Sequence, residues 1–305
     1  MPSWDNVQSA IRSAGSGHDA VRRKALADLA DYTKRNVILY YSGWLEKQPL
    51  VGQGLPVDVN DSDKNGFMAV IHQLDRTKGL DLILHTPGGS VAATESLVDY
   101  LRAMFGTDIR AIVPQLAMSA GTMIALSTKS VVMGKHSSLG PIDPQIMGTP
   151  AHGIVEEFNQ AKTEIANNPA TMAVWQPIIA KYPPTYVGEC QKAIDWADRI
   201  VKEWLETGMF AGEADPKAAA EKVNKELADH ALTLSHDRHI SAEKAADLGI
   251  TVELLENDQE LQDRVLTVHH ASSLTISETP AFKIIENQNG VSQISMVNVS
   301  PVRTP

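Results

Sequence analysis

The stretch that decides the fold runs from Leu82 to Gln145. It opens Leu82-Ile83-Leu84-His85-Thr86-Pro87-Gly88-Gly89-Ser90, an apolar run broken by a proline and a glycine pair. It continues through Ala117-Met118-Ser119-Ala120-Gly121-Thr122 and closes on Leu139-Gly140-Pro141-Ile142-Asp143-Pro144-Gln145. Between these punctuation marks the pattern predicts strands at Leu80 to His85, Ile109 to Pro114 and Val131 to Gly134. Helices are predicted over Ser90 to Phe105 and Ala120 to Thr128. Short strands alternating with helices of this length define an α/β unit, mostly parallel, with right-handed crossovers. Ligands gather at the carboxyl ends of the strands in such sheets, where the glycine pair and Ser119 fall.

Those turns carry chemistry. Gly88 and Gly89 expose backbone amides with no side chain in the way, just ahead of a helix N-terminus, and such amides can hold a developing oxyanion. Ser119 sits between small residues where a strand hands over to a helix. It is read either as a nucleophile, with the Ala120 amide as a further oxyanion donor, or as a plain N-cap. A serine needs a proton acceptor. His136 reads as a loop residue. His236 and His239 flank Asp237-Arg238 without the carboxylates or cysteines that a metal site needs. A desolvated lysine is the alternative base, and Lys162, beside Phe158 and Ile165 on an amphipathic helix, is the candidate.

Working outward, residues 36–45 form an apolar and aromatic strand. Before it, residues 1–35 form a helical segment whose Val21, Leu26, Leu29 and Ala30 share a face, with Arg22, Arg23 and Lys24 on the other side. The core is expected over 36–148. A helical segment, as lid or oligomer contact, is expected over 149–240, with helices near Ile154–Ala166, Met172–Lys181, Tyr186–Glu206 and Pro216–Asp229. An α/β completion follows over 241–299, with a helix capped by Ser241 and a hairpin turning on Asn289-Gly290. Residues 300–305 form a tail.

Composition bounds the function. The 305 residues are 43% hydrophobic and 21% charged, with a net charge of −10, a globular balance. The acidity argues against general nucleic-acid binding, which needs a basic face. A single cysteine, Cys190, excludes an internal disulfide and reads as a packed core thiol. Neither a signal peptide nor a membrane-length apolar run is apparent, so a cytoplasmic protein is expected. Peripheral contact with a membrane is left open.

Taken together, the three motifs resemble the serine dehydrogenase proteinase family, related to signal peptide peptidase A and the Clp protease proteolytic subunit. Leu266-Thr267-Val268-His269-His270 and Lys283-Ile284-Ile285-Glu286-Asn287 resemble that family's C-terminal part. The resemblance implies a crotonase-like spiral of ββα units, usually a homo-oligomer, acting on peptide or unfolded protein. It implies Ser119 as nucleophile, with amides of the Gly88-Gly89 turn and of Ala120 as the oxyanion hole. The histidine that Clp-type subunits carry a little over twenty residues after the serine is missing, Pro141-Ile142-Asp143 occupying that place. A Ser–Lys dyad with Lys162 is therefore expected, Lys181 and Lys192 remaining alternatives. No metal, nucleotide or other cofactor is expected, and no Gly-x-Gly-x-x-Gly fingerprint supports a dehydrogenase. An inactive homo-oligomeric scaffold on the same fold is the competing expectation, with acyl-CoA chemistry a third.

Overall fold

The computed structural model describes residues 7–8, 17–228 and 235–297. The expected tail at 300–305 lies outside them. Four strands rich in branched residues lie side by side in parallel: β1 (Asn36–Ser42), β2 (Leu80–His85), β3 (Ile109–Val113) and β5 (Ser130–Met133). β10 (Val252–Leu254) extends that edge in parallel. β11 (Ala281–Asn287) joins β1 antiparallel, and β12 (Ser292–Met296) joins β11, giving the order β10-β5-β3-β2-β1-β11-β12.

Every residue of β1 and β2 is buried, because both faces of the sheet are covered. Period two sorts the side chains. Ile38 and Tyr40 face one core, packed by α2 (Asp63–Ile71), α3 (Val91–Phe105) and α4 (Ala120–Leu126). Val37, Leu39 and Tyr41 face the other, packed by α1 (His18–Thr33) and a 20-residue helix, Gln259–Glu278. A two-residue hairpin, β7 (Gln145–Ile146) with β8 (Thr149–Pro150), leads into a segment that is helical as expected: α5 (Ala151–Asn167), α6 (Met172–Ile179), α7 (Tyr186–Thr207) and α8 (Pro216–Ala228). Cys190 is fully buried there, against Ile154 and Ile194. Ser241 caps α9 (Ala242–Leu248) by accepting from the Lys244 amide, and Gly249 ends it at φ 107°. The Gln259–Glu278 helix is α10. Among the described residues no helix is long and apolar enough to cross a membrane.

Arg22 departs from expectation. It is not on a solvated face but fully buried, with Nε donating to Glu286 at 2.6 Å and Nη1 to Thr275 at 2.9 Å. These bonds tie α1 to β11 and α10. The first strand also stops at Ser42 rather than reaching Leu45, where Gly43 packs under Ile276 so tightly that a methyl group would lie 2.4 Å from its Cγ2.

At the end of β1 and β2, α10 packs on an aromatic cluster in which Tyr41 and His85 are fully buried and Trp44 and His269 half-buried. Burial, reinforced by His269, holds His85 well below the usual imidazole range. Burial, reinforced by His270 and His136, brings His269 down to about 3. Both rings are therefore neutral in the folded state, whereas the unfolded chain takes up protons near pH 6.5. Stability should thus fall as pH drops below that value, by about 2 kcal/mol at pH 5 for His269 alone. Urea midpoints at pH 7.5 and pH 5 measure this, and His269→Gln should flatten the slope.

Candidate active site

The three motifs meet in a short second ladder. Thr86, just past β2, bridges to Ala117, its carbonyl accepting from the Met118 amide at 3.0 Å. Ala117 belongs to β4 (Leu116–Ala117), which pairs with β6 (Ser138–Leu139), which pairs in turn with β9 (Ile240–Ser241). Sequence positions near 86, 117, 139 and 240 are thus stacked side by side. Small residues let the turns close: a methyl group on Gly121 would meet Thr86 Cγ2 at 2.5 Å, and one on Gly140 would meet Met118 Cε at 2.6 Å. Thr122 Oγ1 fastens the layers, donating to the Ala117 carbonyl at 2.8 Å and accepting from the Gly140 amide at 2.9 Å.

Ser119 occupies the N-cap position of α4 but does not cap it. Its backbone lies at φ 49°, ψ −116°, and its hydroxyl makes no capping bond. A non-glycine residue held there stores about 1–3 kcal/mol of strain, which persists only where the surroundings enforce it. Ser119 as a whole is half-buried. In the facing turn, Gly88 (φ 99°) donates its amide to Thr86 Oγ1 at 3.2 Å, while its carbonyl accepts from Val59 at 2.7 Å. The amides of Gly89 and Ala120 make no hydrogen bond among the described residues. The Gly88 amide, by contrast, is already engaged.

Gly89 admits no side chain. It lies at φ 153°, and a methyl group there would sit 2.4 Å from both the nitrogen and oxygen of Val59. Because those atoms are backbone, Gly89→Ala must push the turn away from residue 59. The variant should lose at least tenfold in activity and about 2 kcal/mol in stability, read by substrate turnover and thermal melting on one preparation.

A cavity of about 360 Å³ opens on Ser119. Its walls include Gly88 and Gly89, Met123 of α4, Ile142 and Asp143 of the third motif, Ala193 and Trp196 of α7, and His236. Trp196 is held by its indole N–H, which donates to Glu95 on α3 at 3.2 Å. His236 Nδ1 lies 2.8 Å from Asp143 Oδ1, and the aspartate is only 1% exposed. The candidate lysines lie elsewhere. Lys162 is exposed on α5, Lys181 is exposed beyond α6, and Lys192 projects into solvent and pairs with Glu189 at 2.8 Å. None of them lines the cavity. His136 and His239 are exposed and also absent from its walls.

Sequence reasoning missed the His236–Asp143 pair. Asp143 stands inside a recognised motif, which was a signal, but its partner comes 93 residues later. The β6–β9 pairing, two residues long on each side, and the Ile142 amide donating to the Leu227 carbonyl at 3.0 Å bring the two segments together.

A mixed α/β fold with a serine held on a strained strand-to-helix turn is the frame of a hydrolytic enzyme. The chain belongs to the ClpP-like SDH-type serine proteinase family, whose model matches residues 19–263, so at the level of the family it is a serine peptidase. It is 30% identical over 235 residues to MJ0137, an uncharacterized protein of Methanocaldococcus jannaschii, covering 76% of this chain and 73% of that one. A second uncharacterized protein of that organism, MJ1495, is 27% identical over 208 residues, covering 68% and 63%. Among solved structures, a mutant of the 1510-N membrane-bound stomatin-specific protease matches 68% of this chain and 79% of its own, at 18% identity and TM-score 0.39.

Proposed function

We propose that the protein hydrolyses peptide bonds with Ser119 as nucleophile, His236 as general base and Asp143 as the group that orients the imidazole. One observation carries this assignment: the His236 Nδ1–Asp143 Oδ1 bond of 2.8 Å, made at the wall of the cavity onto which Ser119 opens. With Nδ1–H donating to the buried carboxylate, Nε2 is the acceptor tautomer. It takes the Oγ proton as Ser119 attacks the scissile carbonyl and returns it to the leaving amine. The Gly89 and Ala120 amides receive the oxyanion, each such donor being worth roughly 10²–10³-fold in rate. Water, activated by the same imidazole, then releases the acyl-enzyme. No step needs a metal, cofactor or nucleotide.

The short ladder at the carboxyl ends of the main sheet supports a crotonase-like arrangement, and a homo-oligomer is the assembly expected of it. The Ser119–Lys162 dyad is the rival mechanism; with Lys162 outside the cavity of its own chain, it requires the lysine of a neighbouring copy. The test is labelling of the full chain by a fluorophosphonate, with the adduct mapped by mass spectrometry, alongside cleavage of an unstructured protein. An adduct on Ser119 and released peptides are expected. An unlabelled Ser119 in folded protein would favour the inactive scaffold and end this proposal.

A further inference from the structure

The core beneath the oxyanion turn contains a charged pair that the reaction does not touch. Lys283 of β11 and Asp63 of α2 are 3% and 2% exposed and lie 2.9 Å apart. A buried ion pair is weak evidence for stability, so its bonds are more informative than its existence. Lys283 Nζ also donates to the Asp58 carbonyl at 2.7 Å. Asp63 Oδ2 accepts from the Asn60 amide at 3.0 Å and from the Tyr40 hydroxyl at 2.7 Å. The peptide groups on both sides of Val59 are therefore held by one buried network.

Val59 is in turn the strut of the oxyanion turn. Its amide donates to the Gly88 carbonyl at 2.7 Å, and its carbonyl accepts from the Ser90 amide at 2.9 Å. Peptide planarity supplies the last link. In the trans unit joining Gly88 to Gly89, the carbonyl and the N–H point in opposite directions. Fixing the Gly88 carbonyl on Val59 therefore aims the Gly89 amide away from Val59, toward the cavity that Gly89 lines.

We propose that Lys283 and Asp63 are positioning residues for the oxyanion hole, acting through the 58–60 backbone to set the direction of the Gly89 amide. The inference rests on the peptidase reading above and adds residues some 220 positions apart in sequence that touch no substrate. It predicts a loss confined to the transition state, where the oxyanion exists, and not to substrate binding.

Two variants test it. Lys283→Met removes the pin and keeps the stem's bulk; Asp63→Asn keeps the shape of the carboxylate and removes the charge that faces Lys283. For Lys283→Met, kcat should fall about 10–100-fold with KM within twofold, since misaiming one donor forfeits much of its worth. A peptide aldehyde, whose adduct presents an oxyanion, should bind weaker by the same factor. Asp63→Asn should show the same pattern at roughly 3–10-fold. A folded Lys283→Met enzyme with unchanged kcat and aldehyde affinity overturns the inference, as does a loss that appears in KM. If Lys283→Met does not fold, Asp63→Asn decides alone by the same readouts. Fluorophosphonate labelling of wild-type Ser119 separates the failures: labelling with normal Lys283→Met kinetics removes this inference only, whereas no labelling removes the peptidase reading beneath it.

Discussion

Ser119→Ala is expected to lower kcat/KM for an unstructured peptide by roughly 10⁴–10⁶-fold while leaving the protein folded. The size follows from what is lost: without Oγ no acyl-enzyme forms, and only the oxyanion amides and substrate binding remain. KM should change little, since the hydroxyl contributes almost nothing to holding the ground state. A companion variant tests the strain at this position. Glycine tolerates φ 49° at no steric cost, so Ser119→Gly should be as inactive as the alanine variant. It should also be more stable by about 1 kcal/mol, less the entropy that glycine adds to the unfolded chain. Activity lost together with stability gained is the signature of a residue kept in a costly conformation for its chemistry. Turnover assays and urea denaturation on wild type and both variants measure the two effects. Substantial activity in Ser119→Ala would remove the nucleophile assignment.

What was legible in the sequence follows from physical scale. β1, β2, β3 and β5 are covered on both faces, so branched apolar residues dominate their sequences and stand out despite Asp81 and Arg110. The three motifs were legible because a glycine pair or a serine among small residues at a strand end is locally unusual. The 20-residue helix α10 was not, for two reasons. Its Thr267-Val268-His269-His270 and Ser272-Ser273 are indifferent helix formers, and it is buried over much of its circumference, which erases an amphipathic stripe. Arg22 reads as a surface residue until Glu286, 264 positions away, is brought beside it. The His236–Asp143 pair escaped notice in the same way. Strands of two residues such as β4, β6 and β9 have no periodicity to detect, yet they align the motifs and bring His236 to Asp143. A lysine at a familiar spacing from the serine was the locally visible signal, and the fold puts it outside the cavity.

The choice between the two bases therefore has large and opposite expected results. His236→Ala should lower kcat by roughly 10⁴–10⁶-fold, comparable to loss of the serine, because nucleophile and base act as one unit. Asp143→Asn should cost about 10⁴-fold, because the amide stabilises the wrong imidazole tautomer and cannot balance the charge that forms on the ring. Combining His236→Ala with Ser119→Ala should add little to either change alone, and that non-additivity distinguishes a shared step from two independent structural injuries. Lys162→Ala should leave kcat within twofold at every protein concentration tested. If instead Lys162→Ala abolishes turnover while His236→Ala retains it, the proton acceptor comes from another copy of the chain. Activity would then be restored by mixing inactive Lys162→Ala subunits with inactive Ser119→Ala subunits, which supply the missing lysine to an intact serine. Under the His236 assignment the same mixture shows only the activity of its Lys162→Ala component, because Ser119, His236 and Asp143 belong to one chain.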